Sequence, residues 1–79
     1  MNIALGLQDF LVTRTKRSWE PEEDLFASGV VSSLFALELV VYLEKAYGVE
    51  VEGENLSIDN FRTIRRIEEL VRELQAAAS

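Results

Sequence analysis

The chain has 79 residues, of which 48% are hydrophobic and 28% are charged, and its formal net charge is −6. This profile is typical of one small domain, so we expect a single domain over residues 1–79 with a frayed tail at 76–79. The negative charge argues against nucleic acid as a partner, because phosphate binding needs clustered Lys and Arg. The chain has no Cys and no His, which argues against disulfides, a typical zinc site and a self-activated nucleophile.

No apolar run approaches the length of a membrane-spanning helix, so no membrane partner is predicted. The N-terminal segment MNIALGLQDFLV is interrupted by polar residues and has no basic region before it, which argues against a secretory signal. A cytoplasmic protein is the default expectation, and the lack of cysteine fits a reducing compartment.

The first predicted helix covers about residues 2–15, and a long loop follows it. Apolar residues recur in this helix at helical spacing: Ile3, Leu7, Phe10 and Leu11. Residues 16–31 contain the only proline, Pro21, followed by three acids, and predict a loop. We expect Leu25 and Phe26 to hold this loop against the core.

The second predicted helix begins at two adjacent serines and ends at Tyr47. Ser32 is well placed as its N-cap, with Ser33 as the first helical residue. Gly48 is a favourable residue just beyond the C-terminus, because glycine readily adopts the left-handed conformation. The acids of the connector that follows, residues 50–57, lack the spacing of a calcium loop, so no metal site is predicted.

This second helix has two apolar stripes, whereas a helix buried on one side needs only one. The stripe expected to face the core consists of Leu39, Val40, Leu43, Ala46 and Tyr47. The other consists of Leu34, Leu37 and Val41, flanked by Glu38, Glu44 and Lys45. Apolar anchors inside a charged rim are typical of a protein-docking surface. The alternative is that the first loop folds over Leu34 and Leu37.

A short element at residues 58–61 and a helix capped by Thr63 complete the chain. The last helix places its apolar residues on one face: Ile64, Ile67, Leu70, Val71 and Leu74. Three main helices, one short helix and a long first loop predict a small all-α bundle.

Ser33 is predicted to lie at one end of the docking surface, beside the long loop. A negative group on an exposed hydroxyl there would meet the free backbone N–H groups of the helix start. The position therefore suits a serine that another enzyme modifies, while the simpler alternative is that both serines only cap the helix.

The segment DLFASGVVSSLFALELVVYLEKAYGVEV, residues 24–51, resembles the core of acyl and peptidyl carrier proteins. In that family a glycine-containing turn leads to a D-S-L-type motif and a helix that ends in an aromatic residue before V-x-V/I. Asp59-Asn60-Phe61 and TIRRIEELV resemble the family's short third helix and last helix. The resemblance covers most of the chain beyond residue 20.

This resemblance implies an acyl-carrier-like four-helix bundle with a 4′-phosphopantetheine arm on Ser33, attached by a phosphopantetheinyl transferase that uses coenzyme A. It implies a monomeric carrier of acyl thioesters that is not itself an enzyme. Acyl-loading and acyl-using enzymes would dock on the second helix, at the matching positions Leu34, Leu37, Glu38, Val41 and Glu44.

Two positions depart from the family's usual pattern. Ser32 replaces the usual Asp, which preserves a cap but removes a negative charge, and Phe35 replaces a residue that is polar in many fatty-acid carriers. The motifs most resemble stand-alone carriers of polyketide or nonribosomal-peptide-type biosynthesis. An aminoacyl or D-alanyl carrier is a close alternative, and a non-catalytic helical interaction module is an alternative of another class.

Overall fold

The computed structural model describes residues 2–78 and has no strand within them. It contains three α-helices: α1 (Ile3–Thr15), α2 (Ser33–Tyr47) and α3 (Ile64–Ala78). Two short 3₁₀ helices, η1 (Gly53–Asn55) and η2 (Ile58–Phe61), lie between α2 and α3. The all-α prediction is confirmed, and η2 takes the place of the predicted short third helix. No helix within residues 2–78 is long and apolar enough to cross a membrane.

Capping residues determine where the helices begin and end. Asn2 Oδ1 accepts a hydrogen bond from the Leu5 N–H at 3.1 Å, and Thr63 Oγ1 accepts one from the Arg66 N–H at 3.0 Å. Gly48, the C-cap of α2, adopts a left-handed conformation with φ of 66°, as predicted. The helix α3 continues through residues 76–78 of the segment predicted to fray, while Ser79 lies outside the described residues.

One hydrophobic core joins the three helices, the first loop and η2. The buried residues of α1 and α2 are Ile3, Leu7, Leu11, Leu39, Val40 and Leu43, and those of α3 include Ile64, Ile67, Leu70 and Val71. Trp19, Leu25 and Val31 come from the first loop, and Phe61 comes from η2. The predicted core stripe of α2 is correct except at its edge. Ala46 is exposed, because it lines an open groove between α1 and α2.

The first loop is tied to α1 through the side chain of Gln8. The Trp19 N–H donates to Gln8 Oε1 at 2.8 Å, and Gln8 Nε2 donates to the Trp19 carbonyl. The Trp19 indole N–H donates to Thr15 Oγ1 at 2.9 Å. These bonds satisfy polar groups around a buried aromatic ring, so the loop is packed against the helices rather than free in solvent.

Two tyrosine side chains of α2 reach α1 at Gly6. A Cβ atom at this position would lie 2.6 Å from Tyr47 Oη and 2.9 Å from Tyr42 Oη. One turn further along α1, the rings of Phe10 and Tyr42 stack with centroids 4.4 Å apart. The lack of a side chain at Gly6 therefore makes room for two tyrosine hydroxyls between the helices.

Candidate functional site

The start of α2 holds two serines in different conformations. Ser32 is extended, with φ of −105° and ψ of 174°, and its Oγ accepts a hydrogen bond from the Phe35 N–H at 3.3 Å. Its carbonyl accepts the first helical bond, from the Ala36 N–H at 3.0 Å. Ser33 is the first helical residue and is exposed. Both serine positions agree with the prediction that Ser32 is the N-cap.

The surroundings of Ser33 suit an added anion and provide nothing that activates its hydroxyl. No acidic residue lies in the first turn of α2, and a helix start presents free N–H groups with a partial positive charge. The chain has no His or Cys to act as a base. Within residues 2–78 no group of side chains could hold a metal ion. Ser33 therefore presents an exposed hydroxyl next to the free backbone N–H groups of the helix start.

A cleft of about 180 Å³ opens beside Ser33, between α2 and the segment that contains η2. Its lining residues are Ser33, Ala36, Leu37 and Val40 on one side and Leu56, Ser57, Ile58 and Phe61 on the other. Val40 and Phe61 are buried at its base, whereas Leu37, Leu56 and Ile58 remain exposed. We call these three residues the apolar rim.

The second apolar stripe of α2, Leu34, Leu37 and Val41, which we call the docking stripe, is open to solvent. Leu34 is 77% exposed, Leu37 58% and Val41 49%, so the alternative in which the first loop covers Leu34 and Leu37 is wrong. The rim residues Leu56 and Ile58 extend this apolar surface across the cleft, and sequence reasoning missed them. Leu56 near the end of the connector and Ile58 at the start of the short element each stand between polar residues, and this is the signal that could have identified them.

The two carboxylates assigned to the docking surface make contacts within the chain. Glu38 is exposed, and its Oε1 lies 2.5 Å from Arg14 Nη1. Glu44 is half-buried, and its Oε2 accepts a hydrogen bond from the Val51 N–H at 3.0 Å. Glu44 therefore anchors the connector to α2.

A second groove, of about 370 Å³, lies on the other side of the docking stripe, between α1 and α2. It is lined in part by Phe10, Arg14, Val41 and Tyr42, and the Arg14 guanidinium lies 5.0 Å from the centre of the Phe10 ring. Partial burial raises the pKa of Tyr42 above its ordinary value, because it disfavours the charged phenolate.

Arg62 connects the first loop to η2, which forms one wall of the cleft. Its guanidinium contacts Asp24 Oδ2 at 3.3 Å and Asp59 Oδ1 at 3.0 Å, and its carbonyl accepts a hydrogen bond from the Leu25 N–H at 2.6 Å. The Phe26 N–H donates to Asp24 Oδ1 at 2.9 Å. This bond, together with the nearby Arg62, holds the pKa of Asp24 below its ordinary value.

Comparisons with known proteins agree on one family. A family model described as a phosphopantetheine attachment site matches residues 7–71. The D-alanyl carrier proteins of Streptococcus pyogenes serotype M5 (strain Manfredo), serotype M49 (strain NZ131) and serotype M1 are each 39% identical to the chain over 56 residues. That stretch is 71% of this chain and 71% of each relative. No solved structure matches the chain significantly.

Proposed function

This chain belongs to the phosphopantetheine-attachment family of carrier proteins, and we propose that Ser33 is the serine that holds its 4′-phosphopantetheine arm. Proteins of this family are non-catalytic carriers, and the group is attached covalently to a serine. When bound, it supplies the terminal thiol on which an acyl group is held as a thioester. The carrier interacts with a phosphopantetheinyl transferase and with enzymes that handle the acyl group.

The main support for this proposal is the position of Ser33. It is the exposed first residue of α2, and it lies at the mouth of an apolar cleft. The hydroxyl of Ser32 is already engaged with the Phe35 N–H, and that of Ser28 accepts a hydrogen bond from the Val30 N–H. Ser79 lies outside the matched residues. Ser33 is thus favoured over these serines as the acceptor.

The residues around Ser33 fit a phosphopantetheine group. The N–H groups of the first turn of α2 would stabilise the negative charge of the phosphodiester, since no carboxylate in that turn opposes it. The cleft beside Ser33 has an apolar base. Ser32 keeps the helix start ordered when its neighbour is modified, because its cap depends on its own Oγ.

The cargo that we propose is D-alanine or a closely related aminoacyl group. Three relatives named D-alanyl carrier proteins, each 39% identical over 56 residues, support this aminoacyl alternative over the polyketide or nonribosomal-peptide role that the motifs first favoured. An adenylating ligase would then load the carrier, and the loading enzyme would dock on α2 through Leu34, Leu37 and Val41. We further propose that the carrier is a cytoplasmic monomer.

The attachment site is tested by the intact mass of the protein after incubation with coenzyme A, magnesium and a broad-specificity phosphopantetheinyl transferase. We expect the wild type and Ser32→Ala to gain one phosphopantetheine, and Ser33→Ala to gain none. A mass gain in Ser33→Ala, or no gain in the wild type, would contradict the proposal.

The cargo is tested by giving the modified carrier D-alanine, ATP and a D-alanine-activating ligase. We expect a mass gain of one alanyl group that hydroxylamine removes, as it cleaves thioesters, and little gain with L-alanine. Loading of a polyketide extender unit by an acyltransferase, with no loading of D-alanine, would contradict the proposed cargo and support the polyketide role instead.

A further inference from the structure

An ion pair borders the docking stripe on the side that faces α1. Arg14 Nη1 lies 2.5 Å from Glu38 Oε1, and the two side chains are 46% and 54% exposed. The Arg14 guanidinium also lies 5.0 Å from the centre of the Phe10 ring, within the distance of a cation–π contact. Arg14 is therefore held at the surface by two contacts, one with each helix.

The Phe10 ring that supports Arg14 is itself packed against two aromatic rings of α2. It stacks on Tyr42 with centroids 4.4 Å apart, and it meets Phe35 edge to face with centroids 5.9 Å apart. Both arrangements are favourable for aromatic pairs. An exposed ion pair usually contributes little because two long side chains must be ordered to form it. Here the Phe10 ring already orders Arg14, so the guanidinium stays close to Glu38.

Lys45 adds a second cation to this border. It lines the groove between α1 and α2 together with Arg14 and Glu38. Lys45 is exposed, and none of the ion pairs found in the described part of the chain includes it. Two cations and one carboxylate give the groove lining a net charge of +1, whereas the whole chain has a net charge of −6. Asp9, the acid of α1, does not line the groove.

The groove continues the docking stripe, because Val41 belongs to both. An enzyme that covers the docking stripe therefore also reaches Arg14 and Lys45. We propose that Arg14 is a specificity-determining residue, and that the enzyme that loads this carrier places an acidic side chain in the groove, facing Arg14 and Lys45. This inference rests on the proposed function.

Two physical effects favour an acidic side chain of the loading enzyme at this position. Because Arg14 holds Glu38, that carboxylate is less available to a lysine or arginine of an enzyme, whereas the guanidinium has further N–H donors for a second carboxylate. A basic side chain in the groove would lie beside two cations, and like charges at an interface reduce affinity. The groove therefore selects the charge of the enzyme, while the docking stripe provides apolar contacts.

The charge of the groove is tested with two matched double variants, each of which removes two positive charges from the chain. The groove variant combines Arg14→Gln with Lys45→Gln. The control combines Arg65→Gln with Arg72→Gln, two arginines of α3 whose side chains are 63% and 62% exposed. Circular dichroism checks that each variant is folded. The KM and kcat of D-alanine loading by a D-alanine-activating ligase are then measured for the proteins that carry phosphopantetheine.

We expect the groove variant to raise KM about tenfold at low ionic strength with kcat little changed, because the groove acts on docking and not on the transfer of the alanyl group. In about 1 M salt, where charges are screened beyond roughly 3 Å, this difference from wild type falls below about twofold. The α3 control stays within about twofold of wild type at both salt concentrations. Equal effects of the two double variants, or a groove variant that behaves like wild type, would overturn the inference.

The role assigned to the ion pair is tested with Glu38→Gln. Its control is Glu73→Gln, which removes a paired acid of α3. We expect Glu38→Gln to lower the KM of loading about threefold, because it frees Arg14 for the acidic side chain of the ligase and removes a carboxylate that repels it. The control leaves KM unchanged. An unchanged or raised KM in Glu38→Gln would overturn the inference, and a raised KM would show that the ligase faces Glu38 with a basic side chain.

The docking inference and the proposed function can fail separately. If the wild type is loaded with D-alanine while the groove variant and its control behave alike, the docking inference fails and the carrier function stands. If Ser33 is modified but the wild type is not loaded with D-alanine, the proposed cargo and this inference both fail. If Ser33 is not modified, the proposed attachment site fails with them.

Discussion

At the scale of single residues, the hydroxyls of Ser32 and Ser33 differ in what they contact. Ser32 Oγ accepts a hydrogen bond from the Phe35 N–H, while Ser33 is the exposed first residue of the helix. The first hydroxyl therefore stabilises the helix start, and the second is available to an external enzyme. Two adjacent serines can therefore have separate roles: Ser32 caps the helix, and Ser33 is the proposed acceptor of the added group.

We expect Ser32→Ala to lower the free energy of unfolding by about 1 kcal/mol, because it removes the N-cap bond. Ser33→Ala should change it by less than about 0.5 kcal/mol, because the altered side chain is on the surface. Urea denaturation of the unmodified proteins measures both values. A larger loss from Ser33→Ala than from Ser32→Ala would show that the two roles are reversed.

At the scale of helices and loops, local sequence signals were enough to predict most of the fold. Helical spacing of apolar residues and capping residues such as Asn2, Thr63 and Gly48 depend on neighbours a few positions away, so the three main helices could be predicted. The same spacing placed the docking stripe of α2 correctly on the surface.

Features that depend on contacts between distant parts of the chain could not be predicted in this way. Trp19 is buried, and Gln8 in another element binds its backbone. The sequence indicates that Glu44 is a surface acid, but in the structure its carboxylate accepts a hydrogen bond from the Val51 N–H across a turn. The rim residues Leu56 and Ile58 meet Leu37 only because η2 folds back toward α2.

The contact between the first loop and η2 makes stability depend on pH. Hydrogen bonds from the Phe26 and Ala27 N–H groups and the nearby Arg62 lower the pKa of Asp24 in the folded protein. Its stabilising contribution is therefore fully present above the ordinary carboxyl pKa and is lost as the pH falls through the lowered value. We expect Asp24→Asn to lose less stability than wild type between neutral and acidic pH.

This pH effect is measured as the free energy of unfolding of both proteins from neutral pH down to pH values below the lowered pKa of Asp24. A matched control is Glu54→Gln, since Glu54 is an exposed acid outside the ion pairs of the described residues. An Asp24→Asn variant with the same pH dependence as wild type would show that the loop contact does not depend on this carboxylate.

At the scale of the whole molecule, the chain is a compact carrier with an open apolar face. The radius of gyration of its Cα atoms is 11.6 Å, close to the value of about 12 Å expected for a folded chain of this length. The exposed residues Leu34, Leu37 and Val41 would be available to the enzymes proposed to dock on them only while no second copy covers them.

We therefore expect light scattering and small-angle X-ray scattering to give the mass of one chain, 8.9 kDa, before and after modification. Leu34→Ser combined with Val41→Ser serves as a control that removes the apolar side chains at both ends of the stripe. A dimeric mass for wild type that falls to one chain in this variant would mean that the stripe is a self-association surface.

In the proposed function, Ser33 is the residue that holds the phosphopantetheine arm. Fragmentation of the modified peptide that contains residues 24–45 by tandem mass spectrometry tests it most directly, since it locates the added group on one of the neighbouring serines. We predict that the group lies on Ser33 and that Ser28 and Ser32 are unmodified. A group located on Ser32, or on a serine outside this peptide, would contradict the account of the site.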